Sequence, residues 1–155
     1  MINESIYEDG NGGQKFIKNN DIATTESLAT LSYIAMFGGN KEASTVKENV
    51  VTELNFDWWG NYRTDPSSKW INSETERLLQ GIALTSGTRI DIENAAKRDL
   101  KKLEQYGDVE VSVTFPNINQ VKIEVTIIEP SIKNSNRLIV IWDATKNEVI
   151  EQNLI

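Results

Sequence analysis

The side chains that could carry chemistry in this sequence are carboxylates, hydroxyls, lysines and tyrosines. The chain of 155 residues contains no histidine and no cysteine. This composition excludes a disulfide, a Cys/His zinc site, a thiol nucleophile and an imidazole base. Among the acids, Asp57 has the most unusual surroundings because it precedes Trp58 and Trp59. A glycosidase needs two carboxyl groups that face each other across a cleft, and no second acid marks such a pair. We therefore predict no catalytic residue.

Metal and cofactor sites are not predicted either. Residues 9–13 (Asp-Gly-Asn-Gly-Gly) are similar to part of a calcium loop. They lack its alternating acids and its bidentate glutamate, so a glycine turn is the preferred interpretation. The sequence also lacks the Gly-rich loop followed by Lys-Ser/Thr that holds nucleotide phosphates.

The charge balance restricts the partners. There are 23 acidic and 16 basic residues, which give a net charge of −7. An acidic chain lacks the basic footprint of a nucleic-acid binder, so no direct contact with nucleic acid is predicted. The longest apolar stretch, residues 138–142, is far too short to cross a bilayer. The start of the chain lacks the apolar region of a secretory signal, so we predict synthesis in the cytoplasm.

One basic group could mark a contact surface. Lys97, Arg98, Lys101 and Lys102 lie within a predicted helix. The simplest interpretation is a solvated helix face whose cations complement the helix dipole. The alternative is a contact for an acidic protein partner.

An aromatic group gives the strongest functional signal, because Trp58, Trp59 and Trp70 fall within one short stretch. Tryptophan is costly to expose, and its N–H needs a partner when buried. Neighbouring residues of an extended chain point to opposite sides, so one ring of the Trp58-Trp59 pair could face the core and the other a partner. The three interpretations are a hydrophobic cluster that pins a long loop, a protein contact and a sugar-stacking surface.

The elements that position these residues predict an α+β fold. Apolar spacing at Leu28, Leu31 and Ala35 predicts a helix over 25–37, capped by Thr24 or Thr25. Ser73-x-x-Glu76 is a capping-box pattern that opens a short helix ending at Gly81. A stripe of apolar residues at helical spacing predicts a helix over 88–105, which begins at the cap pattern Thr88-x-x-Asp91. The residues of that stripe are Ile92, Ala96, Leu100 and Leu103.

The second half predicts a mainly antiparallel sheet of three to four strands. Alternation of apolar and polar residues predicts strands over 109–115 and 120–128. A third strand over 137–142 is apolar on both faces, and 15–22 is a further candidate for the sheet. We predict a flexible N-terminal arm over 1–14, one α+β domain over 15–143, and a tail or edge strand over 144–155.

A family resemblance follows from the tryptophans. The segments Trp58-Trp59-Gly60-Asn61 and Ser67-Ser68-Lys69-Trp70 resemble the Trp-Trp-Gly-Asp and Gly-Ser-(Lys/Arg)-Leu-Trp segments of Mu-like baseplate proteins from contractile phage tails. Here Asn61 replaces the acid, and the second segment lacks the Gly and the Leu. That family is distantly related to the lysozyme-like baseplate wedge proteins, or sheath initiators, of T-even phages.

The resemblance implies a structural protein of a phage tail baseplate or a related tailocin, present in several copies around the tail axis. It implies contacts with other wedge, tube and sheath proteins. The contact residues would be Trp58, Trp59, Gly60, Asn61 and Trp70.

The resemblance also suggests how contacts form, since an edge strand or terminal segment of such proteins can pair with the sheath. Our hypothesis is that the segment 137–155 or the arm 1–14 docks on neighbours. Two alternatives remain at this point: a carboxylate-based cell-wall muramidase, and a carbohydrate-binding module that uses the tryptophans.

Overall fold

The computed structural model describes residues 28–38, 73–130 and 135–154, together with six two-residue strands near the start of the chain. These strands are β1 (Asn3–Glu4), β2 (Ile6–Tyr7), β3 (Gln14–Lys15), β4 (Ile17–Lys18), β5 (Asp21–Ile22) and β6 (Thr24–Thr25). The helices are α1 (Ala29–Phe37), α2 (Glu74–Gly81) and α3 (Ser86–Leu100), and α3 continues into a 3-10 helix at Lys101–Gln105. Four strands form the main sheet: β7 (Asp108–Asn117), β8 (Gln120–Ile128), β9 (Ser135–Asp143) and β10 (Glu148–Leu154).

The sheet is a simple antiparallel meander in the order β10-β9-β8-β7. The alternation in β8 is confirmed, because Val121, Ile123, Val125 and Ile127 are all buried on one face. The strand that is apolar on both faces, β9, is an internal strand with a neighbour on each side. Its inner face is buried at Leu138, Val140 and Trp142, whereas Ile139 and Ile141 on the outer face are half-buried.

Helices pack on the inner face of this sheet and close a single core, so the predicted α+β class is confirmed. The predicted stripe of α3 is buried, and Ile92, Ala96 and Leu100 are fully inaccessible. An aromatic row attaches α1 to the sheet, since Tyr33 stacks on Phe37 and Phe37 stacks on Trp142. The largest fully buried side chains of the core are Met36, Ile92, Leu100, Ile123, Ile127 and Leu138.

The first helix differs from its prediction in start and orientation. It begins at Ala29, and Thr24–Thr25 pair with Asn3–Glu4 as short strands instead of capping it. Its buried face contains Ala29, Tyr33 and Met36, whereas Leu31 and Ala35 are only half-buried. The cause is that the polar residues of the helix, Thr30 and Ser32, are themselves buried, so apolar spacing does not mark the buried face.

The described residues of the candidate segment 15–22 pair outside the main sheet. Ile17–Lys18 pair with Asp21–Ile22, and Gln14–Lys15 pair with Ile6–Tyr7. Each pair is a separate two-stranded ladder. The domain limits at 14 and 143 stay predictions. The residues after 143 include β10, which lies at an edge of the main sheet.

The α3 N-terminus is capped one turn earlier than predicted. Thr85, not Thr88, occupies the cap position and accepts from the Thr88 N–H, while the Thr88 hydroxyl accepts from the Thr85 N–H. Thr88 therefore belongs to the cap as its third helical residue. Asp91 lies beyond the first turn as a consequence.

The passage from α3 to β7 requires glycine at position 107. A Cβ atom there would lie 2.3 Å from the carbonyl oxygen of Ile128 and 2.8 Å from its carbonyl carbon. Both are backbone atoms of the neighbouring strand, so they cannot move aside as the end of a flexible side chain could. The close approach lets β7 begin beside the end of β8.

We expect Gly107→Ala to lower the free energy of unfolding by about 1–3 kcal/mol, because an added methyl group would force the backbone apart. Gly87→Ala is the matched control. The nearest atom to its new Cβ is Thr85 Oγ1 at 3.9 Å, so stability should stay constant or rise by up to about 1 kcal/mol. Urea unfolding of both variants measures the difference. Equal midpoints would contradict the proposed backbone contact.

Candidate functional site

The predicted contact residues lie outside the described part of the chain; they are Trp58, Trp59, Gly60, Asn61 and Trp70. The structure does describe the residues on both sides of the segment 39–72 that contains them. The Ser73 hydroxyl accepts from the Gly38 N–H at 2.9 Å and donates to the Ala35 carbonyl at 2.8 Å. The two bonds link Ser73 to residues that precede it in the sequence by 35 and 38 positions. Gly38 and Ser73, which flank the segment 39–72, are therefore adjacent in the fold.

The role of Ser73 differs from the predicted capping box. Ser73 occupies the N-cap position of α2 but makes no side-chain cap bond to that helix. Its fully buried hydroxyl serves the C-terminal end of α1 instead. The last carbonyls of a helix have no partner within the helix, so Ser73 supplies a donor where water is excluded.

Asp99 of α3 caps α2 in place of Ser73. Its Oδ1 accepts from the Glu74 N–H at 2.9 Å, and its Oδ2 accepts from the Thr75 N–H at 2.8 Å and the Thr75 hydroxyl at 2.7 Å. Burial raises the pKa of Asp99, while the hydrogen bonds from Glu74 and Thr75 oppose this shift. The carboxylate satisfies the first N–H groups of α2 from another helix.

An ion pair lies beside this cap. Arg98 donates to both carboxylate oxygens of Glu74, at 2.7 and 2.9 Å. The hydrogen bonds from Arg98 are the main reason that the pKa of Glu74 lies below its ordinary value. We call Ser73, Glu74, Thr75, Arg98 and Asp99 the helix-end cluster. Its hydrogen bonds link all three α-helices beside Gly38 and Ser73, the residues that flank the segment 39–72.

The basic group on α3 is partly used inside the molecule. Lys97 pairs with Glu93 at 2.7 Å, and Arg98 pairs with Glu74. Lys101 and Lys102 are exposed, and partial burial lowers the pKa of Lys102. Lys97 and Arg98 therefore have intramolecular partners, which weakens the case for this group as a binding surface for an acidic protein.

The sheet has two edges within the described part of the chain, at β7 and at β10. An edge strand leaves alternate N–H and C=O groups without a strand partner. On β7, Arg89 of α3 donates to the Val113 carbonyl at 3.3 Å, and Pro116 lies near the end of the strand. On β10, a register shift separates Val149 from Glu151. Both edges are candidates for contact with another chain.

A groove of about 740 Å³ follows the first half of β7. Val109, Val111 and Lys97 line it on the helix side of the strand. Glu110, Ser112, Glu124, Thr126 and Arg137 line it on the outer side of the sheet. The groove thus extends round the edge of one strand and exposes both of its faces.

Glu110 and Glu124 are the two carboxylates in this groove. Glu110 pairs with Thr126 across the strands and Glu124 pairs with Ser112, so the two acids are diagonal neighbours. Burial pushes the pKa of Glu124 upward, but hydrogen bonds from Arg137 and Lys122 outweigh it and leave the pKa below its ordinary value. A general acid for glycoside hydrolysis needs a raised pKa. The environment of Glu124 lowers its pKa instead.

Comparison with known proteins gives no match: no family model, curated protein or solved structure is significantly similar to the chain. None of the described helices is both long enough and apolar enough to span a bilayer. Within the described ranges, acidic side chains nowhere gather in a group of three or more that could hold a metal ion.

Asp99 is not among the residues predicted from the sequence. Its position carries a signal, because residues 92, 95 and 99 share one face of α3 and Ile92 and Ala95 are fully buried. A carboxylate on a buried helix face needs donors from another element. Here the N-terminus of α2 supplies them.

We expect Asp99→Asn to destabilise the protein by about 1–3 kcal/mol at neutral pH, because the amide would turn an NH₂ group toward donors that then lose their acceptor. Asp91→Asn, on an exposed position of the same helix, is the matched control and should change stability by less than about 0.5 kcal/mol. Thermal or urea unfolding followed by circular dichroism measures both. Equal effects would show that Asp99 does not cap α2.

The stability contributed by Glu124 should depend on pH in a defined direction. Since its pKa is lowered in the folded protein, the contribution is present above the ordinary value of 4.5 and is lost as pH falls through the folded pKa. The difference in unfolding free energy between wild type and Glu124→Gln should be at most about 1 kcal/mol near pH 7. Urea titrations at several pH values should show it shrink below pH 4.5. A difference that grows on acidification would contradict the assignment of the Arg137 and Lys122 contacts.

Proposed function

We propose that this chain is a structural baseplate component of a contractile phage tail or a tail-like injection particle, and that it acts through protein–protein contacts. Its partners are the neighbouring wedge, tube and sheath proteins, and several copies surround the tail axis. In this role it joins the wedge to the base of the tube and starts assembly of the sheath. It works in the tail particle after synthesis in the bacterial cytoplasm.

The observation that carries the proposal is the open edge at β10. This strand is the last in the sheet, and within the described residues no other strand pairs with its far side. Its inner face is fixed by buried Val149 and Gln152, so the strand is held in an extended form before any partner arrives. A preformed edge lowers the ordering cost when a neighbour adds a strand.

The helix-end cluster supports the same proposal. The Trp58-Trp59-Gly60-Asn61 segment, on which the family resemblance rests, lies in the segment whose two ends Ser73 joins. The residues that flank this segment, Gly38 and Ser73, are hydrogen-bonded to each other beside the helical core. This arrangement suits a protein that must hold its neighbours during contraction.

The chemistry of the described acids is consistent with a contact role. The partly buried carboxylate of Asp99 accepts from backbone and hydroxyl donors of α2. The carboxylate of Glu124 is held by Arg137 and Lys122. Asp99 therefore caps α2, and Glu124 forms ion pairs on the sheet.

The proposal is tested by complementation in the phage or bacterium that encodes the chain. Deleting the gene should give tail tubes without sheath by electron microscopy, and the wild-type gene should restore complete tails. A Glu148→Lys/Glu151→Lys double variant should restore fewer complete tails, because both reversed charges lie on β10. Glu104→Lys, on the exposed 3-10 helix, changes one carboxylate in the same way away from the sheet and should restore normal tails.

Truncation is a poorer test, because removing 144–155 also removes Val149 and Gln152 from the core. Complete tails in the absence of the gene would overturn the proposal. So would clearing of a cell-wall suspension by the purified protein, which would indicate the muramidase. A change in tryptophan fluorescence on glycan titration would indicate the carbohydrate-binding module.

A further inference from the structure

Two hairpin turns meet at one end of the main sheet. The first turn follows Asn117, the last residue of β7, and the second follows Asp143, the last residue of β9. They lie side by side because Gln120, the first residue of β8, pairs with Asp143. One backbone bond joins them directly, since the Ala144 N–H donates to the Asn119 carbonyl at 2.8 Å.

The side chain of Gln120 adds a second link between the turns. Its Oε1 accepts from Asn117 Nδ2 at 2.7 Å, and its side chain also hydrogen-bonds to the Asp143 carboxylate. An amide oxygen accepts and an amide nitrogen donates, so Nε2 is the atom that donates to Asp143. Because both ends of its amide are engaged, Gln120 connects the first turn to the second.

The side chains at the two ends of this connection each order their own turn. Asn117 Oδ1 accepts from the Asn119 N–H at 3.0 Å. Asp143 Oδ1 accepts from the Thr145 N–H at 2.8 Å and from the Lys146 N–H at 3.1 Å. Short polar side chains that bond to the backbone a few residues on stabilise turns in this way. The same side chains therefore hold each turn and join it to the other.

Apolar packing contributes little to the conformation of these turns. Ile118, in the first turn, is 86% exposed, and its side chain lacks the hydrogen-bonding groups of the residues that turns prefer. The ladder beside it is irregular, with a register shift between Thr114 and Asn117. The second turn contains Asn147 at φ 60°, a left-handed conformation that is unfavourable for residues other than glycine. Both turns therefore depend on their hydrogen bonds.

Asp143 is the charged member of this group of side chains. The groups that face it are the neutral amide of Gln120 on β8, Lys146 in the turn, and Glu148, its cross-strand partner on β10. Lys146 also lies 4.0 Å from Glu148. The N–H of Lys146 is the main reason that the pKa of Asp143 lies below its ordinary value, and the Thr145 N–H and the Lys146 charge add to this shift. These donors stabilise the ionised carboxylate.

We infer that Asn117, Gln120 and Asp143 form a latch, which makes the two turns at this end of the sheet open and close as one unit. Asp143 is its positioning residue, because it orders the second turn and holds the Gln120 amide that contacts Asn117. Without the latch, the two turns open independently. The latch does not depend on the proposed baseplate role.

The test uses the full chain and hydrogen exchange of single backbone amides measured by NMR, which reports local opening. Asp143→Asn should raise the exchange rates of the Thr145 and Lys146 N–H groups, which lose a charged acceptor. The decisive readout is the Asn119 N–H in the other turn, whose own acceptor is Asn117. Its exchange rate should also rise, by about threefold to tenfold, as expected for loss of a hydrogen bond.

A double-mutant cycle identifies the connection. Gln120→Leu removes the link but leaves the bonds of Asp143 to its own turn, so it should raise the Asn119 exchange rate and leave the Thr145 rate nearly unchanged. Adding Asp143→Asn to Gln120→Leu should then have no further effect on Asn119. Glu148→Gln is the matched control, because it neutralises the carboxylate opposite Asp143 and should leave the Asn119 rate unchanged.

The pH dependence separates the carboxylate from a general loss of structure. Because the pKa of Asp143 is lowered in the folded protein, its contribution is present above the ordinary value of 3.8 and is lost as pH falls through the folded pKa. The difference in Asn119 exchange between wild type and Asp143→Asn, compared at equal pH, should therefore disappear on acidification.

Three results would overturn the inference. The first is an unchanged Asn119 exchange rate in Asp143→Asn. The second is an equal effect of Glu148→Gln on Asn119, which would indicate a change in charge instead of a latch. The third is an additive effect of Asp143→Asn and Gln120→Leu on Asn119, which would show that Gln120 does not connect the turns.

Discussion

Helix ends that meet away from water must find partners for their backbone groups, and this requirement determines how the three helices sit on the sheet. An unpaired buried N–H or C=O group costs about as much as a lost hydrogen bond or more. The C-terminus of α1 and the N-terminus of α2 meet beside α3. Ser73 bonds to the first of these ends, and Asp99 bonds to the second. The positions of α1 and α2 therefore depend on two polar side chains as well as on apolar packing.

A single helix serves both the sheet and the polar cluster. Ile92, Ala96 and Leu100 of α3 are buried in the core, while Arg98 and Asp99 contact α2. Helical geometry allows this because successive residues point in different directions around the axis. The two edges of the sheet are also unlike: Arg89 occupies part of β7, whereas β10 carries a register shift. Edge-specific features of this kind permit different contacts at the two ends of one sheet.

The sequence predicts the sheet better than it predicts α1 or the polar contacts. Alternation in β8 and the buried stripe of α3 are strong local signals, and both are confirmed by burial of Ile123 and Ile92. Spacing could not orient α1, because its polar residues Thr30 and Ser32 are on the buried side. The double role of Ser73 and Asp99 depends on contacts across 38 and 24 positions of the chain, and no local pattern contains such pairing. The predicted contact residues from Trp58 to Trp70 lie outside the described part of the chain, so their roles stay predictions.

The bonds of Ser73 concentrate two contacts in one atom. Its hydroxyl accepts from the Gly38 N–H and donates to the Ala35 carbonyl, so a single oxygen couples the end of α1 to the start of α2. Loss of that oxygen would remove a partner from a donor and from an acceptor at the same helix end.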